Sequence, residues 1–125
     1  MSKLLIVDDE IEICEFLMEF FTDRHFNVIT ALSGEEALEK VESEHPQILL
    51  LDIKMPGMDG IEVLRRVKER HQSIKVIMIT AVETNDKIEE AYKWGADNYI
   101  TKPLSLEDLE RDVKEKIKIL YDGRV

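Results

Sequence analysis

Three short runs in this chain are apolar at every position: Leu4-Leu5-Ile6-Val7, Ile48-Leu49-Leu50-Leu51 and Val76-Ile77-Met78-Ile79. A strand with one wet face alternates apolar and polar residues. A strand without alternation must be covered on both sides, which is the condition of a parallel sheet with helices on each face. Val28-Ile29 and Tyr99-Ile100 mark two weaker strands. Amphipathic stretches fall between the runs. Residues 10–24 carry Ile13, Phe16, Leu17, Phe20 and Phe21 at helical spacing and predict a first helix with these side chains toward the core. Ser33 followed by Glu36 is a capping-box opening for the second. Ile61, Val63, Leu64 and Val67 mark the third, and the fourth runs from about Thr84 to Trp94, closed by Gly95. The last shows a stripe of Leu106, Leu109, Val113, Ile117 and Leu120, with Ser105 as its cap. Its acids (Glu107, Asp108, Glu110) come first and its lysines (Lys114, Lys116, Lys118) last, matching the helix dipole. The order is βα repeated five times, and right-handed crossovers then place helices on both faces of a five-stranded parallel sheet.

That alternation fills the 125 residues, leaving no linker, low-complexity tract or second domain, so residues 1–125 are read as a single domain able to bury its own core. Acids outnumber bases 27 to 17, for a net charge of −10. This balance argues against a direct grip on nucleic acid or an anionic membrane, both polyanions. The lone Cys14 can form no internal disulfide and suits a reducing compartment. No apolar run approaches the roughly 20 residues that span a bilayer, and the acids in MSKLLIVDDE interrupt what would be a signal peptide. The expected location is cytoplasmic.

In open α/β sheets, ligands bind beyond the carboxyl ends of the strands, where the winding reverses. The first strand ends in Asp8-Asp9, the third in Asp52, the fourth in Thr80 and the fifth in Lys102-Pro103. With strand order 2-1-3-4-5 the first and third strands are neighbours, and Asp8, Asp9 and Asp52 converge. Three carboxylates repel one another unless a cation joins them. Oxygen ligands with no cysteine or histidine nearby favour a hard ion, and Mg²⁺, which takes carboxylates, waters and a phosphate oxygen, matches the pocket. Thr80 can donate one hydrogen bond and Lys102 brings a positive charge. Such a set suits phosphoryl transfer to an aspartate, since a carboxylate can act as a covalent nucleophile.

The strand ends fall within four motifs: IVDDE at 6–10, LLLDIKMPGMDG at 49–60, ITA at 79–81 and GADNYITKP at 95–103. In this order and spacing they make the chain resemble, over essentially its whole length, the receiver domain of bacterial two-component response regulators. The resemblance implies a flavodoxin-like, doubly wound sheet in the order 2-1-3-4-5. It implies Asp52 as phosphoacceptor, Asp9 as direct Mg²⁺ ligand, Asp8 as the acid holding the ion through water, and the backbone carbonyl of Lys54 as the remaining protein ligand. Thr80 matches the hydroxyl that follows the phosphoryl group, Ala81 the small residue beside it, Lys102 the phosphate-binding lysine, and Tyr99 the aromatic that changes rotamer. Lys102-Pro103 matches a tight bend with a cis bond. The side chains of Lys54 and Val82 match the two that flank the water attacking the acyl phosphate. The implied partners are a sensor histidine kinase or phosphotransfer protein, and an effector or output domain on the face made by the fourth helix, fifth strand and fifth helix. The resemblance also allows a phosphorylation-dependent dimer. The chain would be a phosphoacceptor that assists its own phosphorylation and dephosphorylation rather than a turnover enzyme. On the first helix, Ile11, Cys14 and Met18 lie on one flank of the expected core-facing arc. Because kinase helices pack near this region in the family, they are the candidate docking stripe.

Other readings fit less well. A Mg²⁺-dependent phosphohydrolase with an aspartyl nucleophile commonly carries a second acid two residues further on, where this chain has Lys54, and it encloses its substrate with a cap domain. A flavin-binding module needs a phosphate cradle after the first strand, where this chain has Asp8-Asp9-Glu10. A degenerate receiver would have lost part of the site. His25, His45 and His71 lack ligand spacing, Gly57 and Gly60 read as turn residues around Asp59, and Trp94 as packing at a helix end.

Overall fold

The computed structural model describes residues 2–122, with side chains through residue 120. Its elements are β1 (Lys3–Val7), α1 (Ile11–Thr22), β2 (Asn27–Ala31), α2 (Gly34–Glu44), β3 (Ile48–Leu51), α3 (Gly60–Arg70), β4 (Lys75–Thr80), α4 (Asn85–Lys93), β5 (Asn98–Thr101) and α5 (Leu106–Asp122). The strands form one parallel sheet in the order β2-β1-β3-β4-β5. The expected fold class and strand order are observed.

The apolar runs divide by parity, as a two-sided sheet requires. Leu5, Val7, Leu49, Leu51, Val76 and Met78 face α2, α3 and α4, where Val41, Val63, Leu64 and Ala91 cover them. Leu4, Ile6, Ile48, Leu50, Ile77 and Ile79 face α1 and α5, where Leu17, Phe21, Leu109 and Val113 cover them. Ser33 caps α2 by accepting a hydrogen bond from the Glu36 amide at 3.1 Å, while the Glu36 carboxylate accepts one from the Leu32 amide. Ser105 accepts from the Asp108 amide and caps α5. Gly95, at φ +103°, ends α4 beyond Trp94, which packs against the core.

α1 faces the sheet differently from the expectation. Its buried residues are Cys14, Leu17 and Phe21, spaced i, i+3 and i+7, with Cys14 only 2% exposed. Phe16, expected inside, is 57% exposed. Placing Cys14 on a docking stripe is therefore incorrect: it is a core residue, and its thiol donates to the Asp8 carbonyl at 3.3 Å. The exposed Glu12, Glu15 and Glu19 form the polar face of this helix, and Cys14, Leu17 and Phe21 lie opposite them, while Phe16 lies beside the acids. Ile11 and Met18 do lie at the surface. Their flank is not the one that meets α5: Arg24 lies over the Phe20 ring and pairs with Glu110 of α5 at 3.0 Å, which places α5 on the Phe20 side.

Candidate functional site

Strand register assembles the site. Val7 pairs with Leu51, so the next residues, Asp8 and Asp52, emerge side by side, and the Asp52 amide donates to the Val7 carbonyl. Thr80 pairs with Thr101, which puts Lys102 at the same end, with its amide on the Thr80 carbonyl at 2.9 Å. The Lys102–Pro103 bond is cis, as expected.

The Lys102 ammonium bridges the two acids, donating to Asp8 Oδ2 at 2.9 Å and Asp52 Oδ2 at 3.3 Å. Asp8, Asp52 and Thr80 are buried, whereas Asp9 is exposed at the rim. The second oxygen of Asp8 accepts from the Glu10 amide at 2.9 Å, and that of Asp52 lies 3.4 Å from the Lys54 amide. Thr80 Oγ1 accepts from the Val82 amide at 3.3 Å. These residues border an open cleft of about 580 Å³, lined by Asp9, Glu10, Asp52, Lys54, Thr80, Ala81, Val82 and Lys102 among others.

The electrostatics match a site short of positive charge. Burial raises the Asp8 carboxyl above the usual range despite the lowering effects of the Glu10 amide and the Lys102 ammonium; the neighbouring Asp52 charge adds to the rise. Burial alone would lower the Lys102 pKa, but its contacts with Asp8 and Asp52 hold it above the ordinary lysine value. One ammonium thus serves two buried carboxylates, with Asp9 and Glu10 adding more negative charge nearby. Asp8, Asp9 and Glu10 each bring an oxygen within 4.8 Å of the others. An oxygen-only donor set with excess negative charge fits a hard divalent cation.

Tyr99 is half-buried, and its hydroxyl donates to the Val82 carbonyl at 2.6 Å. Burial raises its phenol pKa, with the Asp52 and Glu83 charges adding to the effect. The residue therefore ties β5 to the loop after Thr80. Pro103 is exposed next to this region.

Two residues near the site were not given roles by the sequence reading. Glu10 belongs to the acidic cluster, and the only sequence signal was its place as the third acid in a run. Gly60 is more than a turn residue: a Cβ there would fall 2.0 Å from the Asp52 carbonyl oxygen, so only glycine lets α3 begin against the phosphoacceptor candidate's backbone. Gly57, at φ +76°, does serve the turn.

Comparisons with known proteins point to one family and one fold. The profile of the family described as "Response regulator receiver domain" matches residues 4–114. Sporulation initiation phosphotransferase F of Bacillus subtilis is 38% identical over 118 residues, which cover 94% of this chain and 95% of that protein. A CheY-like response regulator receiver domain protein from Methanospirillum hungatei superposes with a TM-score of 0.96 at 31% identity, covering 98% of each chain. The response regulator TrrA of Thermotoga maritima, solved in complex with Mg²⁺ and BeF, superposes with a TM-score of 0.84 at 34% identity, covering 93% of this chain and 99% of that one.

Proposed function

The chain belongs to the response-regulator receiver family, and from that premise we propose that Asp52 accepts a phosphoryl group from a phosphohistidine on a sensor kinase or relay protein, with Mg²⁺ as cofactor. The observation that carries this reading is the Lys102 ammonium held between buried Asp8 and Asp52 at the strand ends. Residues 1–125 act as a single receiver unit on this reading. The similarity to a Bacillus phosphotransferase supports the class of donor.

Asp8, Asp9, Asp52 and the Lys54 backbone carbonyl would hold the ion, and a relative solved with Mg²⁺ and BeF supports the choice of ion. Mg²⁺ supplies neutralisation of the acids and of the phosphoryl oxygens when bound. A carboxylate oxygen of Asp52 attacks phosphorus as the P–N bond of the donor breaks and its electron pair returns to the imidazole. Lys102 offsets charge on the transferring group. Thr80 donates its hydroxyl proton to a phosphoryl oxygen, and Ala81 leaves room for that group. Water later cleaves the acyl phosphate, regenerating Asp52 and releasing inorganic phosphate. Lys54 and Val82 flank the path of that water, and Val82, being apolar, cannot orient it. The protein is thus a substrate that assists its own modification.

The output face is formed by α4, β5 and α5. The bond from Tyr99 to the Val82 carbonyl supports a link between that face and the phosphorylated loop. On the input side, Ile11 and Met18 remain candidates for kinase docking because both are exposed on α1, the helix that starts beside the site.

The decisive experiment is labelling by acetyl phosphate in Mg²⁺. Wild type should be labelled and Asp52→Asn should not, with its circular dichroism unchanged, because asparagine keeps the shape but is a poor nucleophile. Labelling of the mutant at the wild-type rate removes Asp52 from the assignment.

A further inference from the structure

Gly34 opens α2 and is buried, far along the chain from every residue assigned to the site. A Cβ there would lie 2.8 Å from Val63 Cγ2, 2.9 Å from the Met58 carbonyl oxygen and 3.1 Å from Met58 Cβ. Met58 belongs to the loop between β3 and α3, which starts at Asp52 and includes Lys54. The far end of that loop is fixed: Asp59 caps α3 through the Glu62 amide at 3.0 Å, and Gly60 lies against the Asp52 backbone. Just before α2, the Ala31 carbonyl accepts from the Asp8 amide at 3.2 Å. The segment from Ala31 to Gly34 therefore touches the Asp8 turn at one end and the Lys54 loop at the other.

We propose that Gly34 is a positioning residue for the cation site, setting the distance between the Asp8–Asp9 turn and the loop that carries the Lys54 carbonyl. This rests on the Mg²⁺ reading above. The contact works because residue 34 has no side chain. A methyl group there must displace either Val63, in the packed core, or the Met58 backbone, and the Met58 backbone leads directly to the ligand loop. Helix propensity pulls the other way, since alanine is a better helix former than glycine. A purely structural role for Gly34 thus predicts unchanged metal affinity whatever happens to stability.

The test is calorimetric titration of Mg²⁺ into wild type, G34A, V63A and the double variant G34A/V63A, with melting curves in chelator to confirm that each is folded. The expected result is a dissociation constant about 10-fold higher in G34A, the size typical of disturbing the residues that support metal ligands. V63A should bind like wild type, and the double variant should stay well short of wild-type affinity, because shortening Val63 removes the 2.8 Å contact but leaves the Met58 carbonyl oxygen at 2.9 Å and Met58 Cβ at 3.1 Å. Wild-type affinity in G34A overturns the proposal. So does a double variant that binds like wild type, which would place the whole effect on core packing at Val63, or a G34A chain that does not fold. If wild type itself binds no Mg²⁺, the cofactor reading fails and takes this proposal with it.

Discussion

Both ends of the sheet carry an open cleft, and the larger one is at the wrong end for the chemistry. The cleft at the amino ends of the strands measures about 670 Å³ and is lined by Val41, His45, Gln47, His71, Lys75 and others. The one at the carboxyl ends measures about 580 Å³. The two differ in where their polar groups sit. Among the described residues, the buried polar or charged side chains are Asp8, Asp52 and Thr80, and all three lie at the carboxyl end. At the amino end, exposed Glu42 pairs with His71 and Arg70 at 2.7 and 2.9 Å, and half-buried Asp97 pairs with Lys68 at 2.9 Å and Lys75 at 3.7 Å, so no carboxylate there is fully buried among the described residues. Burying two carboxylates beside each other costs stability unless something binds there. Desolvated charge, rather than void size, marks the functional end.

The strongest way to break this contrast is to remove the one ammonium that serves both acids. Lys102→Met should slow labelling by acetyl phosphate by about 100-fold, since it deletes the charge proposed to meet the transferring group. It should not weaken Mg²⁺ binding, because the ammonium competes with a cation for Asp8 and Asp52. Rate measurements at saturating Mg²⁺ and a separate metal titration distinguish the two effects. Parallel loss of both would show that Lys102 holds the pocket together rather than acting on phosphate.

The next contrast lies along α1, between a buried and an exposed apolar residue on the same flank. Met18→Glu should slow transfer from a phosphohistidine donor by about 10-fold, the effect of one good interface contact, while acetyl phosphate labelling is unchanged. Cys14→Glu should lower the melting temperature sharply instead, because it puts an unpaired carboxylate into the core. Burial also raises the Cys14 thiol pKa to about 11, with the Asp8 charge adding to the rise, so alkylation of the native protein should be slow. Equal rates for Met18→Glu and wild type with the protein donor would remove this flank from the interface.

What the sequence revealed, and what it hid, follows from the same physics. The sheet was legible because continuous apolar runs permit few alternatives, and the runs ended on Asp8, Asp52 and Thr80. Those ends brought the acids, the hydroxyl and Lys102 together once the strand order was right. The facing of α1 was legible but misread from its bulky residues: Glu12, Glu15 and Glu19, at i, i+3 and i+7, form a polar stripe, with Cys14, Leu17 and Phe21 opposite it and Phe16 beside it. Gly34 and Gly60 matter through the absence of a side chain, and a glycine next to a loop looks like any other turn. The Tyr99–Val82 bond depends on a backbone carbonyl and a rotamer, neither of which leaves a trace in residue types.

Val82 gives a smaller, sharper test within the carboxyl end. It is half-buried at the cleft and its carbonyl already holds Tyr99, so its side chain can change without breaking that bond. On the proposed reading, Val82→Glu places a carboxylate on the path of the water that attacks the acyl phosphate, and it should speed loss of the label several-fold by orienting that water. Decay is followed after the donor is removed. Equal or slower decay means that the side chain at this position does not reach the water.

The smallest effect is expected at the amino end, where the larger cleft should prove inert to phosphotransfer. Glu42→Gln removes the carboxylate that pairs with His71 and Arg70. The hydrogen bond from His71, followed by the Arg70 charge, holds the Glu42 carboxyl below its ordinary value. A depressed carboxyl pKa contributes stability above the unfolded value of 4.5 and loses it as the pH falls through the folded value. The mutant should therefore melt slightly below wild type at neutral pH, and the gap should close as the pH falls below 4.5 and through the lowered folded value. Because Glu42 is exposed, solvent screens the pair and the gap stays small. The labelling rate should be identical in the two proteins, since among the described residues the cleft here and the cleft at Asp52 share no lining residue. A change in that rate would mean that the two ends communicate through α2, whose first turn holds Gly34 and whose last holds Glu42, and the contrast between a working and an idle end would then have to be abandoned.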